Sequence, residues 1–155
     1  MVDLGKPYIS IIIPAFNEAS RIVPTLREVV AFLREKPYRW EVVVVDDGST
    51  DDSYRVIEQL ASTYDWLRAV RFRRNNHKAA ALATGFREAR GELIVTMDAD
   101  LQDDPAEIPN LLAALSDDND LVSGWKKKRH DPISKTVPSK LFNLVTSAVS
   151  GIRLH

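Results

Sequence analysis

An α/β fold, with a mostly parallel sheet covered by helices on both faces, is what this sequence predicts. Three observations lead there. Short β-branched runs alternate with segments of helical period along the whole chain. The longest apolar runs, Ile11 to Ile13 and Val42 to Val45, are strand-sized. The polar clusters fall just after the runs, where ligands sit in sheets of this kind.

The elements follow in order. Tyr8 to Ile13 is dense in isoleucine and predicts a first strand that Pro14 stops. Ile22, Val23, Leu26, Val29, Val30 and Leu33 recur at helical spacing, giving a helix from about Ser20 to Arg34, ended by Pro37. Asn17 or Glu18 could cap that helix or line a pocket. Trp40 to Val45 is a second strand, and a turn at Asp46 to Asp51 leads into a helix with Thr50 or Asp51 as its N-cap and Val56, Ile57 and Leu60 as its buried face.

Leu67 to Phe72 is a third strand. The next helix carries Ala80, Leu82, Ala83 and Phe86, with Gly91 closing it as a left-handed residue. Leu93 to Met97 is a fourth strand that feeds Asp98. Pro105 suits the first turn of a helix buried through Ile108, Leu111, Leu112 and Leu115. A fifth short strand is expected at Asp120 to Ser123, then a basic loop and an amphipathic helix with Leu141, Leu144, Val145 and Val149.

Composition narrows the functional classes. With 155 residues, 45% hydrophobic and 28% charged, the chain has the material for a single globular domain over residues 1–155. The net charge of -1 gives no global field for nucleic acid. No cysteine is present, which excludes a disulfide framework, a thiolate zinc site and a cysteine nucleophile, and fits a reducing compartment. No signal-peptide pattern opens the chain, and no apolar run approaches the roughly 20 residues of a membrane span. A soluble, cytoplasmic chain is the expectation.

Asp98 and Asp100 are two residues apart after a buried strand, so both carboxylates can face one ligand. Two such acids repel unless a cation compensates them. Their oxygens favour magnesium or manganese, shared with substrate phosphates, and Gln102 could add a neutral oxygen. Capping of the next helix by one of the pair is the plainer alternative. Asp46 and Asp47 repeat the pattern after the second strand, where a carboxylate could accept from a base or a ribose.

In this order, Pro14-Ala15-Phe16-Asn17-Glu18, Asp46-Asp47-Gly48-Ser49-x-Asp51 and Asp98-Ala99-Asp100-Leu101-Gln102 resemble the family 2 glycosyltransferases, most closely the dolichyl and polyprenyl-phosphate sugar transferases. Asn75 to Leu82 is similar to the same subgroup, which often has glycine where His77 stands. The resemblance implies a GT-A fold, a nucleotide-diphosphate sugar donor, a divalent metal (Mg2+ or Mn2+), inversion at the sugar carbon and a polyprenyl phosphate acceptor. By position it assigns Pro14, Phe16, Glu18, Val45 and Asp47 to the nucleoside pocket. Asp98, Ala99 and Asp100 meet the ribose and diphosphate, and Asp98, Asp100 and Gln102 the metal, with Asp100 the catalytic candidate. Phe16 lacks the hydroxyl of the tyrosine usual in that segment. No catalytic base is assigned, neither His77 nor His130, because a phosphate monoester is already largely ionised at neutral pH.

Charge reverses late in the chain. Glu92 to Asp120 holds nine acids and no Lys or Arg, whereas Lys126 to Arg153 holds seven Lys or Arg and one acid. Lys126 and Arg129 are candidates for gripping an acceptor or diphosphate phosphate, and the helix beyond could lie on a membrane surface at its cytoplasmic face. The resemblance implies an acceptor half after the donor half, so the chain is expected to stop short of it. Two other readings stay open: a nucleotide-binding module without catalysis, and a phosphatase of the haloacid-dehalogenase type, which also places Asp-x-Asp after a strand. There is no phosphate-loop or dinucleotide fingerprint.

Overall fold

The computed structural model describes residues 8–116 and 118–124. By its internal contacts the chain divides into Met1–Ala114 and Leu115–His155. The first unit runs β1 (Tyr8–Ala15), α1 (Ile22–Arg34), β2 (Arg39–Asp46), α2 (Ser53–Ala61), β3 (Leu67–Arg71), α3 (His77–Glu88), β4 (Leu93–Thr96), a 3-10 turn at Pro105–Glu107, and α4 (Ile108–Ala114).

All four strands are parallel, in the order β3-β2-β1-β4. Strand alternation sends Ile9, Ile11, Ile13, Val42 and Val44 to one face, where they pack with Ile22, Leu26, Val29 and Leu33 of α1, Ile57 of α2 and Ile108 of α4. Ile12, Val43 and Val45 point to the other face and pack against Ala81 of α3. Helices therefore cover both faces, and the sheet centre has almost no exposure. That explains the apolar runs Ile11 to Ile13 in β1 and Val42 to Val45 in β2.

Pro14 does not stop β1. The strand continues to Ala15, with Pro14 in register with Val45. Ile12 offers its carbonyl toward β4, accepting from Met97, so Pro14 two residues on turns its donorless nitrogen the same way. Pairing with β4 has ended by then, at Ile12 and Thr96, so no ladder bond is lost.

Three further expectations need correction. Gly91 does not close α3: the helix ends at Glu88 with an extended C-cap, Ala89, and the Gly91 amide donates to Ser10 Oγ at 2.8 Å. The buried face of α3 is Ala81 and Gly85, while Phe86 is 46% exposed. Gly85 is needed there because a Cβ would come within 2.2 Å of the Ile12 side chain, so α3 sits closer to β1 than any side chain allows. Neither Asn17 nor Glu18 caps α1 through its side chain; the N-cap is Arg21, and the Glu18 carbonyl accepts from Arg21 and Ile22.

No strand forms at 120–123. Among the described residues of the second unit the one pairing is an antiparallel bridge between Ser116 and Asn119. Leu121 is 85% exposed, and a single flanking valine is too little apolar surface to hold a strand. The predicted basic loop, with Lys126 and Arg129, and the last helix lie outside the described residues, as does His130.

The amino half of the sheet is tied by a polar cluster that periodicity does not reveal. Glu41, 4% exposed on β2, accepts from Ser10 Oγ and from the Arg90 amide, both at 2.7 Å. Arg68 of β3 lies 3.9 Å from its other oxygen and also pairs with Glu88 at the end of α3. A carboxylate this buried is tolerated because hydrogen bonds and a counter-charge replace its water.

Candidate functional site: an acidic cleft at the carboxyl rim

Each described strand ends in a loop containing one residue with a left-handed backbone: Asn17 after β1 (φ 57°), Gly48 after β2 (φ 71°), His77 after β3 (φ 70°) and Leu101 after β4 (φ 65°). Outside glycine this conformation is uncommon and costs of order 1–2 kcal/mol. Strain of this kind is concentrated where the surrounding structure over-determines the backbone. Here all four instances lie on one rim.

The loops after β1 and β2 are sewn together by side chains. Ser49 Oγ accepts from the Asn17 amide at 2.9 Å, Ser53 Oγ from the Glu18 amide at 2.8 Å, and Asp51 from the Ala19 amide at 3.3 Å. In return, Asn17 Oδ1 accepts from the Thr50 amide at 2.9 Å. Asp51 also accepts from the Ser53 amide at 2.9 Å, but the N-cap of α2 is Asp52, not Thr50 or Asp51 as the sequence predicts. Gly48 fits against the third loop: a Cβ there would lie 2.4 Å from the Arg74 carbonyl carbon.

Between these loops lies a cleft of about 210 Å³, lined by Pro14, Ala15, Phe16, Glu18, Asp47, Lys78, Asp98, Ala99 and Asp100. Asp98 and Asp100 both face it. Ala99 between them is 4% exposed, and its carbonyl accepts from Thr25 Oγ1 of α1 at 3.1 Å, which pins the centre of the acidic loop. Asp103 accepts from the Asp98 amide at 2.7 Å and closes the loop from the other side. Phe16 lines the cleft and is 42% exposed, which leaves an aromatic surface available to a ligand.

Asp47 is 3% exposed and accepts from the Asn76 amide at 2.7 Å, fixing the start of α3. Its neighbour Asp46 is outside the cleft lining: it accepts from the Ser49 amide at 3.2 Å and faces Arg71 at 3.6 Å, and its Oδ1 is buried with no hydrogen-bond partner among the described residues. Glu18 is mostly buried. Burial pushes its carboxyl above the ordinary value, Arg21 opposes, and Asp100 and Asp51 add to the rise. Arg21 lies 3.0 Å from Glu18 Oε2 but out of hydrogen-bonding alignment, so that oxygen has no hydrogen-bond donor among the described residues.

Of the residues singled out from sequence, Pro14, Phe16, Glu18, Asp47, Asp98, Ala99 and Asp100 come together in the cleft. Val45 does not line it: strand register turns it under the rim, into the apolar cluster with Ile12 and Ala81. Gln102 is exposed and outside the lining; its amide donates to Asp100 Oδ1 at 3.2 Å, which folds the chain back before its side chain. Lys78 was not singled out, yet its ammonium lies in the cleft against Asp98. One signal for it existed: a lysine in the first turn of a helix opposes the helix dipole and asks for a reason.

Among the described residues no group of three or more His, Cys, Asp or Glu could enclose a metal ion. The two cleft aspartates offer part of a shell. That suits magnesium or manganese, which hold one or two carboxylates and complete their coordination with water and substrate phosphates. Asp98 and Asp100 would hold such an ion, with the rest of its shell left to a ligand.

A parallel α/β sheet with an acidic cleft at its carboxyl rim belongs to the class of open-sheet proteins that bind their ligands beyond the strand ends. The particular family follows from comparison. The glycosyl transferase family 2 model matches residues 10–152, and the chain belongs to that family. It is 39% identical over 155 residues to a dodecaprenyl-phosphate galacturonate synthase of Rhizobium johnstonii, covering 95% of this chain and 44% of that protein. It is 37% identical over 154 residues to an undecaprenyl-phosphate 4-deoxy-4-formamido-L-arabinose transferase of Pseudomonas fluorescens, covering 96% of this chain and 45% of the relative. The chain thus spans less than half the length of these relatives.

Among solved structures, it is similar to the mannosyltransferase PcManGT from Pyrobaculum calidifontis in complex with GDP-Man and Mn2+ (36% identity, TM-score 0.54, 61% of this chain and 28% of that one). A glucosyl-3-phosphoglycerate synthase from Mycobacterium tuberculosis shares the fold over 94% of this chain and 51% of its own, at TM-score 0.67 and 23% identity. The fold is thus the Rossmann-like GT-A arrangement. Family membership also removes the haloacid-dehalogenase phosphatase reading. No helix among the described residues is long and apolar enough to cross a membrane.

Proposed function

We propose that this chain is the donor-binding part of an inverting glycosyltransferase that moves a sugar from a nucleotide-diphosphate donor to a polyprenyl phosphate at the cytoplasmic face of a membrane. The observation that carries the proposal is the cleft itself: two loop aspartates, Asp98 and Asp100, beside Asp47, Glu18 and the exposed Phe16, in a family 2 chain. The nearly 40% identity to a dodecaprenyl-phosphate galacturonate synthase supports the acceptor class.

In this reading Phe16 stacks on the base while Asp47 and Glu18 accept from base or ribose. Asp98 and Asp100 hold Mg2+ or Mn2+, with Gln102 reaching the metal only after its loop rearranges. When bound, the ion supplies charge neutralisation of the departing nucleoside diphosphate. The acceptor phosphate, with a second pKa near roughly 6, attacks the sugar carbon already ionised. The protein therefore contributes position and field rather than a base. Lys126 and Arg129 would meet a phosphate from the acceptor side.

Thermal denaturation tests the proposal. GDP or UDP should raise the melting temperature in the presence of Mn2+ and much less in its absence, and Asp100→Ala should abolish the metal-dependent part. No metal-dependent shift with either nucleotide or its sugars would overturn it. Nucleotide binding with no transfer to added polyprenyl phosphate would leave a binding module.

A further inference from the structure

Among the described residues the cleft is lined by four carboxylates, those of Glu18, Asp47, Asp98 and Asp100, and one cation, Lys78. Asp47 accepts from the Asn76 amide, Asp100 from the Gln102 amide, and Glu18 lies near Arg21, so Asp98 is the carboxylate that the cleft's lysine meets. The Lys78 ammonium sits directly on Asp98 Oδ1. We propose that Lys78 is a resident counter-cation of the acidic loop, and that it makes uptake of a divalent ion conditional on a nucleoside diphosphate. The second half of this proposal rests on the donor-site reading above.

Three features make the arrangement exchangeable rather than fixed. The Lys78 side chain is 59% exposed and that of Asp98 37%, so the pair is screened by solvent and weak. Lys78 stands in the first turn of α3, which carries no acid of its own and meets Asp47 at its capping amide, so Asp98 holds the ammonium near the positive end of its own helix. Its stem is four flexible carbons, with no second partner seen for the ammonium among the described hydrogen bonds. A divalent ion arriving alone must displace the ammonium into water. A nucleoside diphosphate entering the same cleft offers the ammonium a new anion, and Asp98 becomes available to the ion. The two ligands then bind cooperatively because each relieves what the other must displace.

The test measures Mn2+ binding by electron paramagnetic resonance, with and without the tighter of GDP and UDP, in wild type, Lys78→Met and Lys78→Arg. Removing an exposed charge should leave the fold intact. Lys78→Met is expected to bind Mn2+ alone about five-fold more tightly, the ratio that roughly 1 kcal/mol represents. It should also bind the nucleotide alone more weakly and lose most of the cooperativity, while Lys78→Arg stays near wild type. Equal or weaker Mn2+ binding by Lys78→Met overturns the proposal, as does Lys78→Arg behaving like Lys78→Met, or no Mn2+ binding in any of the three. Wild type that takes Mn2+ but neither nucleotide would sink the donor reading and the conditional half; the comparison with Mn2+ alone still decides the counter-cation.

Discussion

Glu18 and His77 show how individual residues carry tension at this rim. Burial raises the Glu18 carboxyl above its ordinary value of about 4.3, against the pull of Arg21. A folded value raised in this way favours folding fully at low pH, and the contribution is lost as pH rises through the folded value. Glu18→Gln should therefore melt at a higher temperature than wild type at pH 7, the difference vanishing below about pH 4. Asp51 runs the other way. Burial would raise it, but hydrogen bonds from Ser53 and Ala19 lower it on balance, so its contribution is present above the ordinary value and lost as pH falls through the depressed one. His77 holds φ at 70°, which glycine adopts without cost. His77→Gly should raise unfolding free energy by about 0.5–1 kcal/mol and His77→Val lower it by at least as much, read by urea denaturation.

At the scale of elements, α3 is the piece on which fold and site depend together. Its Gly85 lets it lie against Ile12, and its first turn carries Lys78 into the cleft and the Asn76 amide onto Asp47. Gly85→Ala should cost about 1–3 kcal/mol by overpacking and, in the same protein, weaken nucleotide binding as the helix is pushed outward. Denaturation and calorimetry on the one variant check both. Helical period made α3 recognisable from Ala80 and Leu82, but it assigned Phe86 to the buried side, where the contact is made by a glycine that carries no hydrophobic signal. By contrast, α1 was readable nearly residue by residue, because six apolar side chains mark its face; only Thr25, which ties Ala99, escaped.

For the molecule as a whole, the order of elements and the location of the rim were legible because both follow from runs of β-branched residues and what comes after them. Pairings between distant polar groups were not. Nothing local in Glu41 announces that Ser10, Arg90 and Arg68 will meet it, and nothing in Lys78 names Asp98 twenty residues on. The fifth strand failed for a related reason: Leu121 and Val122 look like a strand, but a strand also requires a neighbour, and none pairs with them among the described residues.

The mutual stitching of the first two loops has a consequence for how the rim breathes. Amides in surface loops ordinarily exchange with solvent deuterium within seconds, because only local fluctuation guards them. Here those of Asn17, Glu18, Ala19 and Thr50 are each held by a side chain from the opposite loop. They should exchange slowly and as a group, released only when both loops open at once, whereas the Leu101 amide should exchange early. Residue-resolved hydrogen exchange by NMR would show it, and early, unlinked exchange of those four would refute it. A half-cleft that is already rigid loses little freedom when a ligand settles, so the slow step in leaving would belong to the acidic loop.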